Sequence, residues 1–351
     1  MFLALKEMKR EKLRYGLIIS MVVLIAYLIF ILTSLAIGLA RQNTLTIDSW
    51  DVKSVVMNKD SNISLGQSMI VKGQVGKLNS SQAMIGQAPI VAKSKNRDNE
   101  SAQFFGINKN QYIYKEMKIT KGHKPSKANQ IVVDDQFKND GYKIGDKVTM
   151  NSDEDKYEIV GFMHDQKYSV APVVYGNLNT WRDLKNVNSN IVGSAVVSKH
   201  SNPKFNDKYL KSYSKSTFVN KLPGYSAQNS TFGFMIGFLM VISLVVIAVF
   251  LYILTMQKLA NYAVLRAQGI PSKVLVKATI AQSLIIVVGG LIIGAALTFA
   301  TASALPVGVP MFFDIPILSA VTVGMILISI VAALIPVRTI VKVDPVTVIG
   351  G

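Results

Sequence analysis

Few residues of this 351-residue chain are of types and spacings that do chemistry. Histidine occurs three times, at His123, His164 and His200, each in a polar segment and far from the others, so no shared metal site is read from them. Cysteine is absent, which excludes disulfides, thiolate metal sites and a thiol nucleophile. No G-x-x-x-x-G-K-[ST] run is present, and Gly73-Gln-Val-Gly76-Lys77 has the wrong spacing to cradle a phosphate. The G-x-S-x-G, H-E-x-x-H and G-x-G-x-x-G patterns are missing too. What remains is Phe162-Met163-His164-Asp-Gln-Lys167-Tyr168, which gathers a thioether, an imidazole, an ammonium and a phenol. Beside it stand aromatic residues that flank apolar blocks: Trp50, Tyr225, Phe232 and Phe234.

Those apolar blocks are the elements that must position everything else. Half of the chain is hydrophobic and only 17% is charged, below the quarter or so of an ordinary soluble domain. The net charge of +17 alone would suit a nucleic-acid binder, but not together with this apolar content, so no nucleic-acid partner is expected. Four blocks, at 16–40, 232–256, 278–305 and 315–337, each reach the roughly 20 helical residues that cross a bilayer. The first could imitate a signal peptide ending at Gly38-Leu-Ala40, but its uncharged run exceeds the ~7–15 residues of such a core. Gly290 and Gly294 form a small-xxx-small pair suited to close helix packing in lipid.

Lys/Arg bias sets the orientation. Lys6, Lys9, Arg10, Lys12 and Arg14 precede the first block; Lys258, Arg266, Lys273 and Lys277 lie between the second and third. Arg338 and Lys342 follow the fourth, whereas 306–314 carries neither residue type. The expected plan is a cytoplasmic 1–15, helix 16–40, an extracellular α+β domain at 41–231, and helix 232–256. A cytoplasmic 257–277, helix 278–305, an outer turn 306–314, helix 315–337 and a cytoplasmic tail 338–351 complete it. The fold class is thus a four-helix α-helical membrane protein with an α+β extracytoplasmic domain inserted between helices one and two. That domain has 27 Lys+Arg against 17 Asp+Glu, a solvated lysine-rich surface. Strands are expected at 68–72, 130–134, 143–150 with 157–163 as its hairpin partner, and 170–175, where Pro172 favours a sheet edge. A helix is expected at 177–184, and loops or surface helices at 94–101 and 199–215.

The order of parts then resembles a known family. Tyr262-Ala-Val-Leu265-Arg266-Ala-Gln-Gly269-Ile-Pro271 resembles the x-x-L-R-A-x-G segment of the FtsX/MacB-like permeases of ABC transporters. Ile335-Pro-Val-Arg338-Thr-Ile-Val-Lys-Val-Asp344-Pro-Val-Thr-Val-Ile349 resembles that family's closing P-x-R-x-A-x-x-x-D-P-x-x-x-L. Tyr142-Lys-Ile-Gly-Asp-Lys-Val148 and Tyr157-Glu-Ile-Val-Gly-Phe162 resemble its L-x-V-G-D-x-V and F-x-V-V-G-I strands. Ala263 departs from the pattern, since many members carry an acid there. Tyr225-Ser-Ala-Gln-Asn-Ser-Thr231, Met235-Ile-Gly-Phe-Leu239 and the 250–258 segment resemble the haem-exporting branch of Gram-positive bacteria and the related glycolipid-exporter permeases.

The resemblance implies a non-catalytic permease subunit in the cell membrane, a homodimer that docks two copies of a separate ABC ATPase. ATP and Mg would be held only by that partner, and Leu265, Arg266 and Gly269 would lie in the docking turn. It implies haem, or a similar hydrophobic amphiphile, as cargo extruded from the membrane. Tyr, His and Met all serve as axial haem ligands. On that reading Tyr168 and Tyr225 offer a phenol ligand or hydrogen bonds to the propionates, Trp50 stacks on the porphyrin, His164 is a spare ligand and Phe232 lines the site. Two readings stay open beside it: an efflux permease for an antimicrobial peptide or lipid, and a non-transporting regulator of a cell-wall hydrolase. The topology is checked by reporter fusions, expected cytoplasmic after Gly351 and near Pro271 and external near Asn96; a cytoplasmic signal from the Asn96 fusion overturns the orientation.

Overall fold

The computed structural model describes residues 11–341 apart from 96, 153, 206 and 307. Lys6, Lys9 and Arg10, the closing motif from Lys342 onward, and Asn96 therefore lie outside the described residues. In chain order the elements are α1 (Lys12–Ser49), β1 (Ser54–Asn58), β2 (Ile70–Val71), β3 (Gln82–Lys93), β4 (Glu100–Ile107), α2 (Tyr112–Glu116), β5 (Lys121–Gly122), β6 (Gln130–Asp134) and α3 (Asp135–Asn139). Next come β7 (Lys147–Met150), β8 (Tyr157–Met163), β9 (Lys167–Tyr168), β10 (Ala171–Asn177), α4 (Leu178–Lys185), β11 (Ile191–Gly193), β12 (Ala195–Ser198), β13 (Leu210–Ser214) and α5 (Lys215–Asn220). The chain closes with α6 (Tyr225–Gln257), α7 (Leu259–Ala267), α8 (Ser272–Ala304) and α9 (Ile315–Val341). Two compact units result: Met1–Gly38 with Asn229–Gly351, and Leu39–Gln228.

In the first unit α1, α6, α8 and α9 are long and apolar enough to cross a membrane. Their backbone groups bond within each helix, as lipid requires. The small-xxx-small glycines are where α8 meets α1. A Cβ on Gly290 would lie 2.5 Å from Val22 Cγ1, and one on Gly294 would lie 3.0 Å from Ala26 Cβ. Tyr27 and Thr301 share a hydrogen bond at 3.0 Å, and Ser283 donates to the Ser329 carbonyl of α9 at 3.2 Å. The loop between α8 and α9 also packs on α1: Phe312 N–H donates to the Ser34 carbonyl. Both α1 and α6 run past the apolar blocks read from the sequence; α1 continues through Arg41–Ser49, where buried Asn43 and Thr44 bond back within the helix.

The second unit is built on an eleven-stranded mixed sheet in the order β13-β1-β12-β3-β4-β10-β6-β8-β5. β4 and β10 run parallel, as do β6 and β8. β7 pairs with β3 at Ala92↔Met150 and with β8 at Val148↔Tyr157, so the path β3-β4-β10-β6-β8-β7 returns on itself. Successive side chains of a strand face opposite sides. Phe104, Val174, Ile131, Ile159 and Met150 fill one core, and Phe105, Tyr175, Val132, Val160 and Val173 enter the other.

The expected strands at 130–134 and 157–163 match β6 and β8, and the hairpin partnership of β7 with β8 is present. Two expectations are corrected. β10 is not an edge strand, for it lies between β4 and β6; Pro172 is tolerated because it precedes the pairing to both, opposite Lys167 of β9. The polar stretch 199–215 holds β13, which pairs with β1 at five positions. Its lysines and serines suit a sheet edge, where charge discourages further pairing. Gly290→Leu is expected to cost ~1–3 kcal/mol by overpacking against Val22, read as a lowered unfolding temperature of the solubilised chain. Gly289→Leu should leave it nearly unchanged, since the space around Gly289 is open.

Candidate functional site

The residues singled out by type are drawn together around one hollow in the second unit. It encloses about 350 Å³ and is lined by Ser49 at the end of α1 and Trp50 after it, Tyr112, Ile113 and Glu116 of α2, Met117, Lys118 and Thr120, Met163, His164 and Gln166, and Tyr175 of β10. That volume stands at the small end of the ~300–1,000 Å³ typical of ligand pockets. Trp50 is 4% exposed and makes edge contacts to Phe105 at 5.1 Å and Tyr175 at 6.4 Å between ring centroids. Its indole N–H donates to the Tyr175 hydroxyl at 3.2 Å, and that hydroxyl donates to Gln166 Oε1 at 2.7 Å. Ser49 Oγ lies 3.3 Å from Gln166 Oε1 while its hydroxyl donates to the Thr46 carbonyl at 2.7 Å. The Gln166 backbone N–H donates in turn to buried Asp134 at 2.6 Å, whose other oxygen caps α3 through Gln136 N–H.

Desolvation raises the Asp134 pKa above its ordinary 3.8, opposed by those two backbone bonds. Its contribution to stability is therefore fully present below 3.8 and declines as pH rises through the raised folded value. Burial pushes the Tyr175 and Tyr168 phenols upward as well, which keeps both protonated and disfavours a phenolate ligand.

The remaining candidates divide. His164 lines the hollow but is mostly exposed, with Nδ1 3.2 Å from Asp135 and Nε2 3.4 Å from Asp165. Tyr168 does not line it; its ring packs behind, edge-on to Phe105 at 5.3 Å. Tyr225 is half-buried at the start of α6 against the same core. Phe232 belongs to the first unit, on a stretch of α6 where Phe234 and Phe238 are 70% and 67% exposed and Gly233 and Gly237 have open space around them. Tyr112, Ile113 and Met117 carry no signal in the sequence, because α2 is little more than one turn long and shows no period. Phe238 was hidden in a uniformly apolar run.

The Leu265, Arg266 and Gly269 segment has a definite local cause. Gly269 stands at φ +87° just past α7, the left-handed position that glycine occupies without strain. Gly269 N–H donates to the Arg266 carbonyl and Ile270 N–H to the Leu265 carbonyl, a Schellman cap that turns the chain into α8. Arg266 reaches the Val341 carbonyl at the end of α9 at 3.3 Å, where a cation suits the helix dipole. At the other end of α7, Lys258 is 6% exposed and donates to the Tyr15 hydroxyl of α1 at 2.9 Å.

This arrangement of long helices and capped turn coincides with a family match: the FtsX-like permease C-terminal model covers residues 233–345. Over that region the chain is similar to the FtsX-like permeases. The resemblance drawn from the sequence is borne out, and the chain is a multi-pass membrane protein with its α+β domain between the first and second membrane helices. It is 26% identical to a candidate hemin transport system permease protein, HrtB, of Staphylococcus epidermidis, over 100% of this chain and 99% of that one. It is 24% identical to the protein of the same name in Staphylococcus haemolyticus, with the same coverage. The periplasmic region of MacB from Actinobacillus actinomycetemcomitans is similar to 49% of this chain and 94% of its own, at 11% identity and a TM-score of 0.36. Gln166→Ala is expected to cost ~1–3 kcal/mol, since it leaves the buried Tyr175 hydroxyl without its acceptor, measured by thermal unfolding of the purified permease.

Proposed function

We propose that this permease is the membrane subunit of an ABC exporter whose cargo is haem or a similar hydrophobic amphiphile. The observation that carries the reading is the end-to-end match to relatives named for hemin transport. A second chain supplies ATP hydrolysis, in keeping with the missing phosphate loop. Two permeases and two ATPases form the working unit, with both permease termini and the α7–α8 turn on the cytoplasmic side. ATP-driven closure of the ATPases pushes on that turn, which the Schellman cap holds to one shape.

The cargo meets the start of α6. Phe234 and Phe238, four residues apart on one face, offer rings, and Gly233 and Gly237 leave open backbone beside them, while Phe232 stands on the opposite face of the helix. A planar apolar molecule gains most from such a face, since ring stacking needs an unobstructed approach. Trp50 and Tyr168 act by packing the wall of the domain core, and His164 stands on its surface.

The experiment co-expresses the permease with its ATPase and follows haem tolerance together with ATPase rate. Arg266→Glu and Gly269→Trp should uncouple hydrolysis from export, because the first reverses a capping charge and the second needs a left-handed backbone that tryptophan resists. Phe234→Ala with Phe238→Ala should lower haem tolerance several-fold at unchanged membrane abundance and unchanged basal ATPase rate. Normal tolerance in the double variant would remove the α6 face from the mechanism. Normal haem tolerance on deleting the permease outright, with lost tolerance to a peptide antibiotic, would replace the cargo.

A further inference from the structure

The charge of the second unit is concentrated in one short segment. From Lys109 to Lys127, 19 residues, six lysines stand against one acid and give +5, half of the +10 of the 41–231 domain. That acid, Glu116, is already taken: both its oxygens hold Lys199, at 2.9 and 2.7 Å. Bonds to the backbone gather four of the six lysines where α2 meets the 123–127 loop. Lys109 Nζ donates to the Ser126 carbonyl. Lys124 Nζ donates to the Lys115 carbonyl at 2.6 Å and lies 5.6 Å from the centre of the Tyr114 ring. The Tyr114 hydroxyl donates to the Pro125 carbonyl at 3.1 Å, and Gln130 Oε1 accepts from the Ser126 and Lys127 N–H groups. None of Lys109, Lys115, Lys124 and Lys127 has a carboxylate at ion-pair distance among the described residues. A lysine bonded to a carbonyl is fixed in place with its charge uncompensated. Like charges held together repel one another, a strain that a counter-charge relieves.

Beside this cluster runs an open groove of about 910 Å³ with Lys109 and Lys115 in its lining. Its polar groups are donors. Asn79 Oδ1 accepts from the Ser81 N–H and hydroxyl, and Gln111 Oε1 accepts from the Met84 N–H. Those bonds identify the two amide oxygens and leave both NH₂ groups without a partner among the described residues. Asn108 and Asn110 are exposed, and their side chains make no hydrogen bond among the described residues, so their NH₂ groups can turn toward the groove. Ammonium and NH₂ donors together fit a ligand made of acceptors, an oxyanion. The cations are all lysines, point charges that suit a tetrahedral phosphate, whereas a planar carboxylate favours the fork of arginine. They are also dispersed, since Lys109 and Lys124 are tied to different carbonyls, so the ligand needs several charged groups. Tyr112, the ring among the described residues of the lining, is buried with Lys199 over it. A nucleic-acid base would find no stacking platform there.

We propose that this groove and its lysines bind a linear polyanion that carries a phosphate in each repeat and no aromatic base. The site is separate from the α6 face and does not rest on the identity of the exported cargo.

The test follows the fluorescence anisotropy of end-labelled inorganic polyphosphate on the full chain in phosphatidylcholine nanodiscs. Binding should weaken steeply with salt, because each lysine contact releases a counter-ion. Lys109→Gln with Lys115→Gln should weaken it about 2–30-fold, the worth of two exposed ion pairs. Asn108→Asp with Asn110→Asp should weaken it by a similar factor at an unchanged unfolding temperature, since those side chains hold nothing in the fold; this pair keeps the test valid if the lysine pair unfolds the domain. Lys147→Gln with Lys156→Gln removes the same charge at the opposite end of the β3–β4 pairing, where β7 joins β3, and should leave the affinity unchanged. An equal loss in both lysine pairs would reduce the effect to net charge and overturn the site. Polyglutamate of equal charge should bind more weakly than polyphosphate, and equal binding would overturn the phosphate assignment. Nanodiscs that ignore polyphosphate but float with phosphatidylglycerol vesicles through Lys109 and Lys115 would assign the patch to a lipid surface and overturn the polymer.

Discussion

The second unit depends on β7 bonding to two strands at once. Four residues pair with the end of β3 and with the start of β8, which lie at different points of the sheet order. That double pairing closes the path of strands and gives one set of alternate side chains a complete enclosure. Phe104, Ile131, Ile159 and Met150 are buried there to within 1%. With that face satisfied, the opposite face is left to meet α2, the end of α1 and the 163–168 segment. The hollow and its hydrogen-bonded wall exist on that second face because helices and loops cover it less completely than strands cover the first.

The membrane unit obeys the opposite rule. Its helices bury few polar groups, and those that are buried mostly turn back on their own backbone: Thr255 to Leu251, Thr279 to Leu275 and Thr298 to Gly294. Lipid offers no competing donor, so such bonds satisfy the side chain without specifying a neighbour. Specific contact between helices comes from shape at Gly290 and Gly294 against α1, and from the Tyr27–Thr301 and Ser283–Ser329 hydrogen bonds. Among the described residues charge keeps to the ends of the helices, and at two places, Lys258 and Arg266, it ties α7 to α1 and α9.

How much of this could be read in advance follows from the same physics. The four membrane helices were legible because a bilayer imposes length and apolarity on a continuous run of sequence. β6 and β8 were legible as short apolar runs of branched residues, and α4 through the capping Asn177, whose side chain accepts from Thr180 N–H. The helix ends were not legible, because α1 carries on for a further two turns in residues such as Asn43 and Thr44 that no hydropathy reading favours. The wall of the hollow was half legible. Trp50 and His164 stood out by type, but Tyr112, Gln166 and Tyr175 join them only through pairing of β10 with β4 and β6, a contact between distant parts of the chain. Tyr168 was singled out by its phenol alone, and only the β9–β10 hairpin shows its ring turned inward onto Phe105.

That hairpin has a further meaning. Its two-residue turn, Ser169-Val170, holds both residues at positive φ, 49° and 68°. Such a turn ordinarily takes Asn-Gly, and a β-branched residue there is under steric load. The turn is held by two external bonds, from Ser169 N–H to the Asn43 carbonyl and from Val170 N–H to the Gln42 carbonyl. The polar end of α1 thus acts as the template on which an otherwise disfavoured loop is moulded. If those two carbonyls are withdrawn, the hairpin loses its reason to keep this shape, and Tyr168, Phe105 and the Trp50 wall of the hollow lose their backing in turn. The geometry of the ligand-sized space is in this way written into the Gln42 and Asn43 carbonyls of α1, two ring contacts away from the Trp50 wall.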